Sequence, residues 1–376
     1  MSKYMVFYAL DDIQSGMITA APVNVLDKEG GQKPLIDANT VLTSDSIVQL
    51  YRYKIDRVLV FTDEPPFSDD LAVTEGAEKI HPILDDSLRR EAVSGIRNLF
   101  HVVKEGTENR YNMTTAYQIV KEIDDIVDEI VDVVSLESAK GMVHISDLKS
   151  YDEYTYHHSL SVCVLSIAIG REMGFNISEI KRLSRCAIMH DIGKVKIPFN
   201  LITKPSKLTD QEFSIVKQHP VKGVQYLRSE NIGNEELWRG ILHHHEKYDG
   251  RGYPVGLKGK NIPIFSRIIA VADVYDALTS YRSYRKPIVP PVAAMEIIMA
   301  DAGQAFDFDV VSIFVKKVEL YPLNSIIVLT NGAKGVVVNN KNAVRPKIKM
   351  LNTGNIIDLA DINNLTLTIK WVEAPI

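Results

Sequence analysis

At 376 residues the chain is too long for one ordinary core, and two or three domains are expected. Hydrophobic residues make up 45% and charged residues 24%, with no low-complexity tract, which excludes disordered and fibrous classes. The net charge of −5 argues against binding nucleic-acid polymers but leaves room for a small phosphorylated ligand in a local basic pocket.

No apolar run approaches the roughly 20 residues of a membrane span, and the opening MSKYMVFYALDD lacks the build of a secretory signal. The two cysteines, Cys163 and Cys186, fall in apolar helical patterns and are expected in the core. A cytoplasmic protein without a membrane partner is therefore expected.

Residues 1–107 read as a small α+β domain with a regulatory or sensory role. Its short apolar stretches Met5–Leu10, Val23–Leu26 and Val58–Phe61 are separated by turn signals such as Gly30–Gly31 and Pro65–Pro66. Thr43–Tyr53 opens on a capping residue and predicts a helix. Residues 108–140 predict a long connecting helix. Ile119, Ile123, Ile126, Ile130 and Val133 recur in a 4-3-4-3 spacing, with Asp124, Asp125, Asp128, Glu129 and Asp132 on the other faces. Such a stripe either docks on its own domain or forms the seam of a homodimer, and a homodimer is expected.

Residues 141–317 read as an all-α domain. Helices are expected at Tyr154–Met173, Ser178–His190, Thr209–Leu227, Glu235–His244, Arg267–Leu278 and Pro290–Ala300, and Thr209 with Glu212 has the form of a capping box. Residues 318–376 turn to β-branched runs and predict a small β appendage. Its strands are expected at Ile326–Leu329, Gly335–Val338, Lys347–Met350 and Leu365–Trp371, with a hairpin turn at Asn331–Gly332.

The histidines are the informative residues, because seven of the ten lie between His157 and His245. His190–Asp191 stands at an expected helix end, where Gly193 permits a sharp turn. His158 lies on an upstream helix with Glu153 near its start, His219 precedes Pro220, and His243–His244–His245–Glu246 follows another helix. Asp273 falls in an apolar stretch where an unpaired carboxylate would be costly. Imidazole with carboxylate suits iron, manganese or zinc, and no cysteine is placed for a structural zinc site. Several such residues on separate helices point to a polynuclear cluster able to clamp a phosphoryl group.

HDIGKVKIP at 190–198, HHEKYDGRGYP at 244–254, ADVYDALTSYRSYRKP at 272–287 and YTYHHS at 154–159 together resemble the HD-GYP phosphodiesterases, over about residues 150–300. The resemblance implies metal ligation by His158, His190, Asp191, His219, His244, His245 and Asp273, with Glu153 as the candidate for a third ion. His157 rivals His158, and His243 rivals its neighbours, for the register of the ligands. It further implies two or three divalent metals, iron with manganese as the alternative. Asp191 and Lys194 would be catalytic. Lys194, Arg282, Arg285, Lys286 and Tyr253 would meet the substrate, and the GYP loop would offer a surface to a protein partner. Asp276, one turn from Asp273, is expected to orient a ligand or a basic residue.

The activity implied is hydrolysis of cyclic di-GMP to pGpG and then GMP by a metal-bridged hydroxide. The rival readings are a silent receptor for the dinucleotide that signals through the connecting helix, and a hydrolase of another nucleotide phosphoester.

Overall fold

The computed structural model describes residues 4–10, 13–20, 22–26, 32–53, 55, 57–62, 83–105, 113–140, 154–204, 206–280, 289–321, 323–342 and 344–375. It divides into two compact units, one of Met1–Glu78 with Ile376 and one of Lys79–Pro375. The N-terminal unit holds β1 (Tyr4–Ala9), β2 (Ile18–Thr19), β3 (Val23–Leu26), β4 (Gln32–Ile36), α1 (Ser44–Arg52) and β5 (Arg57–Thr62). β5 lies antiparallel between β1 and β2, and β3 pairs with β4 in a separate ribbon. Thr43 caps α1 by accepting from the Ser46 amide, and Leu42, Leu50, Val58 and Val60 form the centre of a small core.

The second unit begins with α2 (Asp86–Glu105) and α3 (Met113–Lys140). The boundary expected near residue 107 thus moves to Glu78, because α2 supplies Leu88, Ala92, Ile96, Leu99 and Val103 to the same core as α3. Ile123, Ile126, Ile130 and Val134 of α3 are buried there as well, and Lys181 and Arg185 pair with Asp128 and Asp124 at 2.8 and 2.6 Å. The apolar stripe is therefore covered within the chain, and the two-stranded seam read from it is corrected: these side chains are not available to a second copy. The side chain of Ile119 lies outside the described residues.

The helical core follows as α4 (Tyr154–Glu172), α5 (Ile177–Met189), α6 (Phe199–Ile202), α7 (Asp210–Val216), α8 (His219–Ser229), α9 (Glu235–Leu242), α10 (Ile264–Thr279), α11 (Pro291–Ala300) and α12 (Phe308–Lys317). α4 is buried almost all round, from Leu160 through Ile169, because neighbouring helices pack on several of its faces. The single helix expected over Thr209–Leu227 is two. Thr209 and Glu212 form the capping box of α7, but Pro220 has no amide to donate and lies in the first turn of α8. The break sets His219 at the start of the second helix.

Five antiparallel strands close the unit: β6 (Ser325–Leu329), β7 (Lys334–Asn339), β8 (Lys347–Met350), β9 (Ile356–Asp358) and β10 (Ile369–Pro375), in the order β10-β6-β7-β8-β9. Gly332, at φ +82°, makes the β6–β7 turn. The last strand begins at Ile369 rather than at residue 365, since Ile362–Asn364 forms a short 3₁₀ turn first. Ile327, Leu329, Val337 and Ile348 join the helical core, so the sheet is part of this unit's packing. Among the described residues no helix is long and apolar enough to cross a membrane.

Candidate metal centre

Helix ends build the site. The last carbonyls of an α-helix have no partner within the helix, and three histidines take them up. His190, following α5, donates from Nδ1 to Ala187 O at 2.7 Å; His219, following α7, donates to Val216 O at 2.9 Å; and His244, following α9, donates to Ile241 O at 2.6 Å. A carbonyl can only accept, so each ring carries a proton on Nδ1, and it is Nε2 that is left to face the site. His158, inside α4, is held differently: its Nδ1 donates to Asp276 Oδ2 of α10 at 2.7 Å.

The four Nε2 atoms converge on Asp191, which is 1% exposed. Its Oδ1 lies 3.2 Å from His219 Nε2 and 4.0 Å from His244 Nε2; its Oδ2 lies 3.4 Å from His190 Nε2 and 3.7 Å from His158 Nε2. Asp273 Oδ1 stands 3.1 Å from His158 Nε2, and its Oδ2 is 4.0 Å from His245 Nδ1. Two sets of donors result: Asp191, His219, His244 and His245 in one, and His158, His190 and Asp273 in the other. The Asp191 carboxylate faces both.

This arrangement fits divalent metal. The Nε2 atoms of His219 and His244 face each other at 3.3 Å, with Asp191 Oδ1 beside them, and all three are acceptors. His190 Nε2 and Asp191 Oδ1 are buried without a hydrogen bond. Acceptors gathered in a dry pocket repel one another unless a cation sits among them. Ligands about 2.1 Å from one ion are themselves about 3–3.4 Å apart, and His219 Nε2 lies 3.3 Å from His244 Nε2 and 3.2 Å from Asp191 Oδ1.

The electrostatics agree. Burial, then the neighbouring His245 and His190, hold His244 well below the usual imidazole range. Burial and His219 bring His245 down to about 3. Both rings are therefore neutral, as ligands must be. Burial opposes charge on Asp191 and Asp273, but Lys194 for the first and His158 for the second outweigh it and hold both carboxyls well below their ordinary value. Burial also opposes charge on His158, but Asp273 and Asp276 prevail and push it up to about 9. The proton this places on Nε2, facing Asp273, stands where a cation could sit.

Gly193 makes the HD turn possible. A Cβ there would lie 1.9 Å from the His219 carbonyl oxygen and 2.6 Å from the Gly223 amide, so only glycine lets the 3₁₀ turn Ile192–Lys196 approach α8. That turn brings Lys194 Nζ onto Asp191 Oδ2.

Tyr253 lies against the cluster, its ring 4.8 Å from that of His245. Burial, then Asp273 and Asp191, raise its phenol far above the ordinary value, so the hydroxyl keeps its proton as a donor. His243 packs away from the metal sets, its Nδ1 3.5 Å from Glu246 Oε1, and His157 is in neither set. Glu153, Arg282, Arg285 and Lys286 lie outside the described residues.

Sequence reasoning missed the work of Glu246. Its buried carboxylate accepts from the amides of Val255 (2.9 Å), Gly256 (3.0 and 3.1 Å) and Leu257 (3.1 Å), folding the DGRGYP loop back over the histidine pair. Gly252 packs on the Glu246–Lys247 backbone, where a Cβ would come within 2.2 Å of the Lys247 amide. The available signal was a carboxylate directly after the histidine pair and a glycine-rich turn within ten residues of it.

A helical core that collects imidazoles and carboxylates around an His–Asp pair defines a class, and residues 144–310 match the HD domain family model. The matched span is a little under half of the chain, and it holds the two segments that resemble the HD-GYP phosphodiesterases. The cyclic di-GMP phosphodiesterase PA4108 of Pseudomonas aeruginosa is 38% identical over 228 residues, covering 60% of this chain and 54% of its own. A cyclic di-GMP phosphodiesterase of Thermotoga maritima is 33% identical over 243 residues, covering 62% and 63%. The 3'3'-cGAMP-specific phosphodiesterase 1 of Vibrio cholerae is 37% identical over 159 residues, covering 42% and 35%. The chain thus spans between about half and under two thirds of the length of the first two.

Proposed function

We propose that the chain is a metal-dependent phosphodiesterase that opens cyclic di-GMP to pGpG and then cleaves this to GMP. The observation behind this reading is the gathering of imidazole nitrogens and carboxylate oxygens around Asp191, with Lys194 and the raised His158 as the positive groups beside them among the described residues. Two divalent ions, iron or manganese, would be held by Asp191, His219, His244 and His245 on one side and by His158, His190 and Asp273 on the other. Asp191 would be shared, and Glu153 is the candidate ligand for a third ion. When bound, such ions lower the pKa of water and neutralise phosphoryl charge.

The chain's own residues do the rest. Asp191 fixes the geometry of both sets, and Asp276 fixes His158. Lys194, a quarter exposed and anchored on Asp191, is the cation that would turn to a phosphoryl oxygen as charge grows there. Tyr253, kept protonated, is a neutral donor for a phosphate or sugar oxygen. Arg282, Arg285 and Lys286 would meet the phosphate outside the cluster. The exposed Arg251 and Val255 at the loop tip give a protein partner something to grip. A homodimer would need a surface other than the α3 stripe.

The reading is tested by turnover of cyclic di-GMP on protein loaded with iron or manganese under anaerobic conditions, with 3'3'-cGAMP in parallel. Asp191→Ala is expected to abolish hydrolysis with the fold intact. Faster cleavage of 3'3'-cGAMP would move the substrate to the hybrid dinucleotide, which the Vibrio relative makes the specific second reading. Binding without turnover would leave a receptor.

A further inference from the structure

Outward from the metal centre runs a row of rings. His245 and Tyr253 lie with centroids 4.8 Å apart and planes at 31°, and Tyr253 then meets Phe213 edge-on, at 6.5 Å and 84°. His245 and Tyr253 are half-buried, whereas Phe213 at the outer end is exposed. Phe213 sits in α7, the helix whose last carbonyl orients His219, and Lys217 Nζ lies over one face of its ring, 5.2 Å from the centroid.

A single exposed apolar side chain is ordinary on a protein surface and by itself says nothing. Phe213 differs in its neighbours. It touches the tyrosine that packs on a metal-facing histidine, and a cation flanks it. An exposed ring face beside a positive charge suits a flat aromatic group joined to a phosphate, since stacking tolerates any base and the cation favours the anion.

The geometry points to Phe213 as a base-stacking residue: its exposed ring takes one purine of the dinucleotide while the phosphate joined to that nucleoside lies at the Asp191 centre. This deepens the phosphodiesterase reading and rests on it. The ring orders the base without touching the reacting atoms, so its effect belongs in KM and not in kcat.

Phe213→Leu, Phe213→Trp and the parent are compared on cyclic di-GMP and on its abasic analogue, the cyclic diribose diester with no aromatic ring, with metal content measured on each. Phe213→Leu is expected to raise KM for cyclic di-GMP about tenfold to a hundredfold at nearly constant kcat. Phe213→Trp is expected to restore the parental KM. Neither should change kcat/KM on the abasic diester by more than about twofold, because no ring is there to stack.

Equal KM values for parent and Phe213→Leu on cyclic di-GMP would overturn the stacking role alone. A matching loss on both substrates would assign Phe213 to holding Tyr253 in place, and would overturn it too. A parent that cleaves the abasic diester but no cyclic dinucleotide would overturn both the substrate reading and this inference.

Discussion

Asp276 holds His158 from behind: the imidazole donates to its Oδ2 across 2.7 Å, from a helix 118 residues away in sequence. The other oxygen of Asp276 accepts from Ser280 Oγ at 3.0 Å, so the carboxylate is itself fixed. Partners of this kind set the tautomer of a ligand and typically govern metal affinity by 10- to 100-fold. Asp276→Ala is expected to weaken metal binding by about that factor while circular dichroism shows the helices retained. Unchanged affinity in a chelator competition would remove Asp276 from this role.

Gly193→Ala should disturb the site through the backbone. The added methyl meets the His219 carbonyl and the Gly223 amide, neither of which can rotate away. Overpacking of this sort costs about 1–3 kcal/mol, so a lowered melting temperature is expected together with loss of metal, because His219 is the residue displaced. A variant that melts and binds metal like the parent would show that α8 can retreat freely.

Glu246→Gln tests the loop. The carboxylate accepts from three consecutive amides, and the amide side chain would turn a donor toward donors. Charge-assisted hydrogen bonds are worth about 1.5–3 kcal/mol, so exchange protection at Val255, Gly256 and Leu257 should fall about ten- to a hundredfold. Metal content should hold, because Glu246 is outside both ligand sets. Protection that survives would mean the glycine turn holds its shape without the anion.

Ile130→Ala separates the two uses of the α3 stripe. Ile130 is fully buried in the core shared with α2, α4 and α5. Emptying such a site costs about 2–5 kcal/mol, so the second unit should unfold at lower denaturant while sedimentation stays as in the parent. Changed sedimentation at unchanged stability would return the stripe to an interface.

The residue types of the candidate site were legible in the sequence because metal chemistry demands particular side chains, whatever the fold. His190, Asp191, His219, His244, His245 and Asp273 were all named, and Thr209 with Glu212 announced a helix start. What stayed hidden depends on partners distant in the chain. The apolar positions of α2 have helical spacing, but nothing local says that Ile96 and Leu99 pack with Ile126 and Ile130 rather than with the N-terminal strands. The stripe of α3 was equally visible and equally silent about its partner. Pro220 was in view, yet the apolar pattern ran on through it, and the backbone constraint outweighed the periodicity. Glu246 looked like a neighbour of the ligands because its acceptor role appears only when residues 255–257 fold back.

The three helix-end histidines have an electrical consequence. Peptide dipoles along a helix leave the equivalent of about half a negative charge at its C-terminus. In the last turns of α5, α7 and α9 the carbonyls of Ala187, Val216 and Ile241 contact the Nδ1–H of His190, His219 and His244. Each imidazole thereby conducts the polarity of a helix to its inner nitrogen, and three such ends converge around Asp191. The pocket is negatively biased by its backbone before any carboxylate is counted, so replacing one of these histidines removes both a contact and the helix polarity that its ring carries inward.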